Sequence, residues 1–277
     1  MQTYGPKTVS NCRYAHYAQC STILPLKVTI ILANFSIYPG YLFFYTISMI
    51  YFAHRGASSL AVQNTLPAFE KARTVGAQCY ELDVHLTADE QLAVHHDYSL
   101  LSTAGADVLI GALCAAELQK YPLKNSFSKD PVFVPLLSDV LPVVTPGLEL
   151  LNIELKNDEN KYPGIEKMLL QAVPGALLPK ILFSSFDYDT LARLRALAPK
   201  ARIGLLTRDF DVRQALALKA ESVHINHTRL TPEIIRTCHQ NNLRLYCYTV
   251  NEIETAHRLE RQGVDGIFTD FIQLFTQ

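Results

Sequence analysis

Cysteine is scarce in this sequence, and its scarcity limits the classes of protein to consider. The six cysteines in 277 residues are widely spaced, and no pair has the C-x-x-C spacing. This pattern excludes a disulfide-stapled scaffold and gives no sign of a zinc or dithiol site. A reducing compartment fits, and we expect a cytoplasmic protein.

The sequence also has no excess of charge of either sign. Its 25 basic and 26 acidic residues leave a formal net charge of -1, while 49% of the residues are hydrophobic. The composition excludes a disordered polyelectrolyte and gives no global electrostatic reason to bind nucleic acid. There is also no phosphate-binding P-loop, no glycine-rich nucleotide loop and no H-E-x-x-H helix, which argues against nucleotide-driven enzymes and zinc proteases. We therefore expect no nucleic-acid partner.

Acidic residues are absent from positions 1–69, and the apolar stretch 23–52 lies within that region. Its uninterrupted apolar runs are shorter than the roughly 20 residues that cross a bilayer, and Pro39 and Gly40 break it midway. We expect residues 1–48 to be an apolar extension preceding the folded part, 49–277. Translation that starts at Met49 is the first interpretation, and a membrane tether through 23–52, with membrane association, is the second.

From Met49 onward, short apolar runs alternate with longer amphipathic ones, a pattern typical of repeated βα units. About eight strands in this length favour a closed (β/α)8 TIM barrel, and an open doubly wound sheet is the alternative. The predicted strands are 50–54, 78–84, 92–95, 148–155, 181–184, 202–206, 222–225, 244–249 and 266–269. The predicted helices are 66–75, 165–172, 188–197, 212–218, 232–241 and 253–262.

One stretch, about 97–134, interrupts this alternation. It contains several glycines, prolines and polar clusters and is longer than an ordinary connection between a strand and a helix. We expect a small insertion after an early strand. In a barrel it would lie on the catalytic face and cover a substrate, whereas the simpler alternative is a solvated excursion without a role.

Three carboxylates lie on two predicted strands. Glu81 and Asp83 are two residues apart and leave the same face of their strand, and Glu154 repeats this geometry with Lys156. Like charges held together raise one another's pKa unless a cation joins them, and carboxylate ligands suit a hard ion such as Mg²⁺ or Ca²⁺. The alternative is a surface cluster of salt bridges.

Two histidines end predicted strands, where barrels hold their catalysts. His54 precedes Arg55 at the end of the first strand, and His96 follows the strand after the carboxylate pair. Imidazoles accept and donate protons near neutral pH, and a guanidinium fork matches phosphate oxygens. Two imidazoles on opposite sides of a reacting bond could therefore serve as base and acid. His85 and His95 lie nearby, and we expect them to be rim or packing residues.

In combination, these motifs resemble the glycerophosphodiester phosphodiesterase family. The similarity runs from about residue 50 to the C-terminus. The matching segments are His54-Arg55-Gly56, Asn64-Thr65-Leu66-Pro67-Ala68-Phe69, Glu81-Leu82-Asp83-Val84, His96-Asp97, Val134-Pro135-Leu136-Leu137, Asn152-Ile153-Glu154-Leu155-Lys156, Ser185-Phe186-Asp187, Tyr248-Thr249-Val250-Asn251 and 263–270.

The resemblance implies a metal-dependent hydrolysis of glycerophosphodiesters to glycerol 3-phosphate and an alcohol. One divalent cation is implied, with Mg²⁺ favoured over Ca²⁺, and the long excursion is implied to shape the substrate pocket. Phe186 and Tyr248 would line an apolar wall for the substrate or merely close the barrel. The implied roles are metal ligands for Glu81, Asp83 and Glu154, acid and base for His54 and His96, and phosphate binding for Arg55 and Lys156.

Three positions depart from the family pattern. Gln63 replaces a usual Glu, Ser102 a common Arg, and Tyr248 a common Trp. Because none belongs to the implied metal or histidine set, we expect altered affinity or substrate preference. The alternatives are a phospholipase D-like enzyme acting on lysophospholipids with this fold, and a catalytically silent protein that binds phosphodiesters.

Overall fold

Eight parallel strands close into a barrel in the computed structural model, which describes residues 49–276. Each strand pairs in parallel with its neighbours, and pairing of the first strand with both the second and the last closes the sheet. The predicted TIM barrel is thus confirmed. The strands are β1 (Ile50–His54), β2 (Cys79–Leu86), β3 (Leu92–Val94), β4 (Leu150–Leu155), β5 (Ile181–Ser185), β6 (Arg202–Thr207), β7 (Ser222–Asn226), β8 (Arg244–Tyr248) and β9 (Gly266–Thr269).

Strand β3 is not one of the eight barrel strands. It pairs antiparallel with β2, with Val84 opposite Val94. The prediction of a wholly parallel sheet is wrong here because only five residues join the two strands, and a parallel crossover needs a dozen or more. A tight turn closes this hairpin, in which the Thr87 amide donates to the Gln91 carbonyl at 2.9 Å.

Helices connect the barrel strands and cover their outer faces. The one before β8, for example, begins after Thr231, whose hydroxyl accepts from the Ile234 amide, and has Pro232 at its first position. The helices among the described residues are α1 (Leu66–Thr74), α2 (Leu101–Ala104), α3 (Ala115–Leu118), α4 (Leu137–Val144), α5 (Ile165–Ala172), α6 (Tyr188–Leu197), α7 (Val212–Ala217), α8 (Pro232–Gln240) and α9 (Ile253–Gln262).

The barrel interior is closed beneath the catalytic end by a layer of inward-facing side chains. This layer is apolar and buried, and within it Phe52 stacks on Phe268 and meets Tyr246 edge to face. The inward-facing polar side chains above this layer therefore lie near the carboxyl-terminal ends of the strands, where barrel enzymes have their active sites. The layer consists of Phe52, Cys79, Leu150, Leu182, Tyr246 and Phe268.

The stretch between β3 and α4 has a small hydrophobic core of its own. Short helices α2 and α3 and two isolated bridges, Ser99 with Leu109 and Leu123 with Val132, order it. It is an insertion on the barrel, as predicted, rather than another βα unit. The members of its core are Ala93, Leu100, Ile110, Leu113, Leu118, Leu123 and Val134.

The predicted extension, 1–48, lies outside the described residues. The predicted membrane contact through 23–52 falls there too, apart from its last residues, of which 50–52 belong to β1. Across residues 49–276, every helix is too short or too polar to reach from one side of a bilayer to the other.

Candidate active site

Two neighbouring barrel strands bring the three predicted carboxylates together. Glu81 and Asp83 lie on β2, and parallel pairing places Asp83 directly opposite Glu154 of β4. Side-chain oxygens of the three residues lie within 4.8 Å of one another, and all three residues are buried. The alternation of side chains along a strand thus produces the predicted convergence.

Burial and mutual repulsion disfavour ionisation of all three carboxyl groups at once. Burial first, and then the charge of Asp83, raise the pKa of Glu81 well above its usual range and raise that of Glu154 to about 7. Burial would also raise the pKa of Asp83, but Arg55 and Lys156 outweigh it and hold that pKa low. A cation among the three would relieve the repulsion.

The donor set fits a hard divalent cation. Asp83 Oδ1 is buried without a hydrogen-bond partner, and the nearest ammonium, Lys156 Nζ, is 3.9 Å away. A buried carboxylate oxygen without a partner is costly, whereas oxygen-only ligands are those that Mg²⁺ and Ca²⁺ prefer. The triad could therefore hold such an ion.

Two cations flank the triad. Arg55 Nε lies 3.3 Å from Asp83 Oδ2, its backbone amide donates to Glu81 Oε2 at 3.0 Å, and Nη1 donates to Gln63 Oε1 at 2.7 Å. Lys156 Nζ lies 2.8 Å from Glu154 Oε1. The uncharged Gln63 therefore holds the guanidinium by a hydrogen bond without neutralising it.

His54, at the end of β1, faces the triad and is nearly buried. Its Nε2 lies 4.0 Å from Glu81 Oε2, and its Nδ1 is hydrogen-bonded to Asp270 Oδ1 at 2.7 Å. Burial and then Arg55 lower the pKa of His54, and Asp270 opposes them. The imidazole is thus held with Nε2 free toward the carboxylates.

The sequence interpretation did not identify Asp270. This residue follows β9, the strand beside β1, and also accepts from Ser58 at 2.9 Å and from Asn251 at 2.8 Å. The available signal was a carboxylate immediately after the last barrel strand, on the edge that carries His54.

His96 lies two residues after β3 and reaches the site from the hairpin. Its Nδ1 is 2.7 Å from Asp97 Oδ1, and its side chain is 35% exposed, against 13% for His54. Burial lowers its pKa, as do Arg55 and Lys156, while Asp83 and Asp97 oppose the change. The two predicted histidines thus both line the site, one buried and one open to the cavity mouth.

His85 and His95 support the backbone beside His96. His85 Nε2 is 3.2 Å from the His96 carbonyl oxygen, and His95 Nδ1 is 2.9 Å from the Asp97 carbonyl oxygen. Both imidazoles are buried. Their positions fit the predicted packing role.

The cavity above the triad has a volume of about 930 Å³, within the range of small-molecule sites. Phe186 and Tyr248 line it, with ring centroids 6.1 Å apart in an edge-to-face arrangement. The sequence interpretation did not identify two arginines of the rim: Arg208, whose guanidinium lies 4.3 Å from the centre of the Phe186 ring, and Arg229.

Known proteins of one enzyme family are similar to this chain. The model of the glycerophosphoryl diester phosphodiesterase family matches residues 54–274. A glycerophosphodiester phosphodiesterase of Bacillus altitudinis is 36% identical over 79% of this chain and 94% of its own length, and one of Caldanaerobacter subterraneus is 33% identical over 79% and 92%. An Oleispira antarctica phosphodiesterase, solved with its product sn-glycerol-3-phosphate, has a TM-score of 0.73 and 28% identity over 81% of this chain and 94% of that one.

Proposed function

The chain belongs to the glycerophosphoryl diester phosphodiesterase family, and from that premise we propose how it hydrolyses glycerophosphodiesters to glycerol 3-phosphate and an alcohol. The observation that carries the proposal is the buried carboxylate triad with an imidazole on either side, one of them beside Glu81 and the other toward the cavity mouth. The substrate class follows from the named relatives, one of which holds sn-glycerol-3-phosphate.

Glu81, Asp83 and Glu154 would hold one divalent cation, and we favour Mg²⁺ over Ca²⁺. When bound, the cation would polarise the phosphoryl group as a Lewis acid. The unpartnered Asp83 Oδ1 and the raised pKa values of both glutamates support this assignment.

Arg55 and Lys156 would bind the phosphoryl oxygens. Both side chains are mostly buried, and both lie within 4 Å of Asp83. Their fixed positive charge stabilises the negative charge that develops on those oxygens during the reaction. Phe186 and Tyr248 would form the apolar wall against which the carbon skeleton of the substrate packs.

His54 would act as the base and His96 as the acid. The buried His54, oriented by Asp270, would take the proton of the attacking hydroxyl, either of water or of the neighbouring glycerol. If the glycerol hydroxyl attacks, a cyclic phosphate forms as the alcohol leaves, and a water molecule then opens it to glycerol 3-phosphate. The more exposed His96 would donate a proton to the alcohol oxygen as the bond between phosphorus and that oxygen breaks. The alcohol would then leave through the mouth on the His96 side.

A turnover assay tests the activity. The full chain is incubated with glycerophosphocholine, glycerophosphoethanolamine and a lysophospholipid, with Mg²⁺, with Ca²⁺ and with a chelator. We expect release of glycerol 3-phosphate that the chelator abolishes and Mg²⁺ restores. A chain that binds these esters but releases nothing with either ion would instead be a silent binding protein.

Substrates with a good leaving group distinguish the roles of the two histidines. An aryl ester of glycerol 3-phosphate needs little help from an acid, because the phenolate leaves without a proton. We expect His96→Ala to lose about 10²–10⁴-fold in kcat on the alkyl ester and far less on the aryl ester, while His54→Ala loses as much on both. The reverse pattern would exchange the two roles.

A further inference from the structure

Two leucines of the insertion lie half-exposed at the catalytic cavity. Leu101 is 53% exposed and Leu109 is 47% exposed, and both line the cavity that contains the carboxylate triad. We name this pair the apolar ledge. Single exposed leucines are common on protein surfaces, so exposure alone does not indicate a role for these two.

The residues adjacent in sequence to these two leucines are buried, although the leucines themselves are not. Leu100 and Ile110, adjacent in sequence to Leu101 and Leu109, are fully buried in the core of the insertion. Two hydrogen bonds on either side of the Ser99–Leu109 bridge fix the backbone here: the Leu100 amide donates to the Val108 carbonyl and the Ile110 amide to the Tyr98 carbonyl. The ledge is therefore the cavity face of an ordered element whose opposite face supplies the core.

The cavity has more room than glycerol 3-phosphate requires. That product has ten non-hydrogen atoms and occupies roughly 300 Å³ at the volume that one water takes in the liquid. The cavity, at about 930 Å³, leaves most of its space for the other half of the diester.

The apolar surface that Phe186 contributes to the cavity is already partly covered. Arg208 lies over the ring of Phe186 at 4.3 Å and is paired with Asp158 at 3.6 Å. A long chain that packs on that face of the ring competes with the guanidinium, whereas Leu101 and Leu109 keep about half of their surface exposed. The ledge also lies on the segment that carries His96, the proposed acid.

We infer that the apolar ledge is a subsite for an aliphatic chain on the leaving alcohol. This inference rests on the proposed function, because it places the leaving oxygen beside His96. The enzyme would then prefer glycerophosphodiesters of alkyl alcohols to those of short polar ones. A fully buried methylene raises binding about fourfold, so a methylene on a half-exposed ledge should contribute about twofold.

A homologous series measures this contribution. The glycerophosphodiesters of ethanol, butanol and hexanol are compared at monomeric concentrations, with Mg²⁺ present. We expect kcat/KM to rise about twofold per methylene with the wild-type chain, and the rise to disappear in the Leu101→Ser/Leu109→Ser double variant. Leu197→Ser, at another leucine that is 56% exposed but outside the cavity lining, is the matched control and should keep the wild-type rise.

The outcomes separate this inference from the proposed function. Hydrolysis of all three esters at equal kcat/KM, or an equal rise in the double variant, would overturn the ledge and leave the activity intact. A chain-length effect seen only when a hexanoyl group is carried by the glycerol would also overturn it. No hydrolysis of any ester would refute the proposed function itself. Thermal unfolding of the double variant checks that it is folded.

Discussion

At the scale of single residues, Asp270 positions His54, the proposed base. It orients His54 through one hydrogen bond of 2.7 Å while accepting two more from Ser58 and Asn251. A carboxylate fixed in this way selects both the ring orientation and the tautomer of an imidazole. The orientation of the proposed base is therefore fixed by a residue that follows β9, the strand that pairs with β1 where the barrel closes.

Asp270→Asn should lower kcat about 10- to 100-fold with a smaller change in KM, because the imidazole loses its orientation but the phosphate contacts remain. Asp270 opposes the lowering of the pKa of His54, so its loss should move the acidic limb of the kcat profile to lower pH. Steady-state kinetics across pH measure both effects. Ser58→Ala, which removes one hydrogen bond from the same carboxylate, is the control, and a wild-type kcat in Asp270→Asn would refute the positioning role.

Metal binding should depend on pH through the triad. Burial and Asp83 raise the pKa of both glutamates, that of Glu154 to about 7, so the metal-free triad binds protons more readily than free carboxylates do. A cation must displace these protons, and Mg²⁺ affinity should therefore fall as pH falls, by about tenfold per pH unit for each displaced proton. Calorimetry at pH 6, 7 and 8 measures the affinity.

The matched variant for that measurement is Glu154→Gln, which removes one titrating ligand. It should bind Mg²⁺ more weakly at pH 8 and show a shallower pH dependence than the wild-type chain. Equal affinity of the wild-type chain at pH 6 and pH 8 would contradict the assignment of the triad as the binding site.

Some of these residues could be predicted from the sequence and others could not. Glu81 and Asp83 share one face of β2 through the two-residue period of a strand, and Glu154 joins them because it lies on a neighbouring parallel strand. Asp270 meets His54 across 216 residues, and only the closed barrel makes them neighbours. Arg208 likewise reaches Phe186 from a different loop, which no local pattern reveals.

At the scale of elements, the turn between β1 and α1 carries unusual strain. Arg55 and Gly56 both have positive φ values, 58° and 83°, and a Cβ added at Gly56 would lie 2.7 Å from the Ala68 backbone. This tight reversal directs the Arg55 amide onto Glu81 and its guanidinium onto Asp83. Glycine is required at Gly56 for both conformation and space.

Gly56→Ala should destabilise the chain by roughly 2–4 kcal/mol, because a left-handed alanine and a clash with backbone add together. Gly147→Ala is the matched control: its φ is also positive, 76°, but nothing lies within 4 Å of the added Cβ, so it should cost only about 1 kcal/mol. Urea unfolding measures both. Equal losses would show that the contact with Ala68 is unimportant.

Elements differ in how far the sequence predicts them. The βα alternation predicts all eight barrel strands because each is a short apolar run between amphipathic ones. Helix α4 is not among the predicted helices, and it contains Pro142, a residue that usually breaks a helix. It nevertheless forms, with Leu137, Val140, Leu141 and Val144 buried against the barrel, so tertiary packing outweighs the local preference.

At the scale of the whole molecule, a buried histidine ties stability to acidity. His224 packs against Gly204 between the rings of Tyr246 and Phe268, and burial lowers its pKa to about 3. Between pH 6.5 and 3 the unfolded chain takes up a proton at this residue that the folded chain does not. The contribution of His224 to stability is therefore full above pH 6.5 and falls as pH falls through that window, by about 1.4 kcal/mol per pH unit.

Urea unfolding between pH 7 and pH 4 measures this loss. His224→Gln should lose less stability over that range than the wild-type chain, whatever its stability at pH 7. The imidazole signals of His224 in an NMR titration provide a check that does not depend on the variant. A midpoint near pH 6.5 in the folded chain would contradict the prediction.

Closure of the barrel by β1 and β9 has a consequence for synthesis on the ribosome. Strand β1 lacks one of its two partner strands until β9 has been translated. His54 forms its hydrogen bond with Asp270 only after that step. Contacts so distant in sequence form slowly. Catalytic competence should therefore appear only after β9 has been synthesised and has paired with β1, so enzyme turnover reports that the barrel has closed.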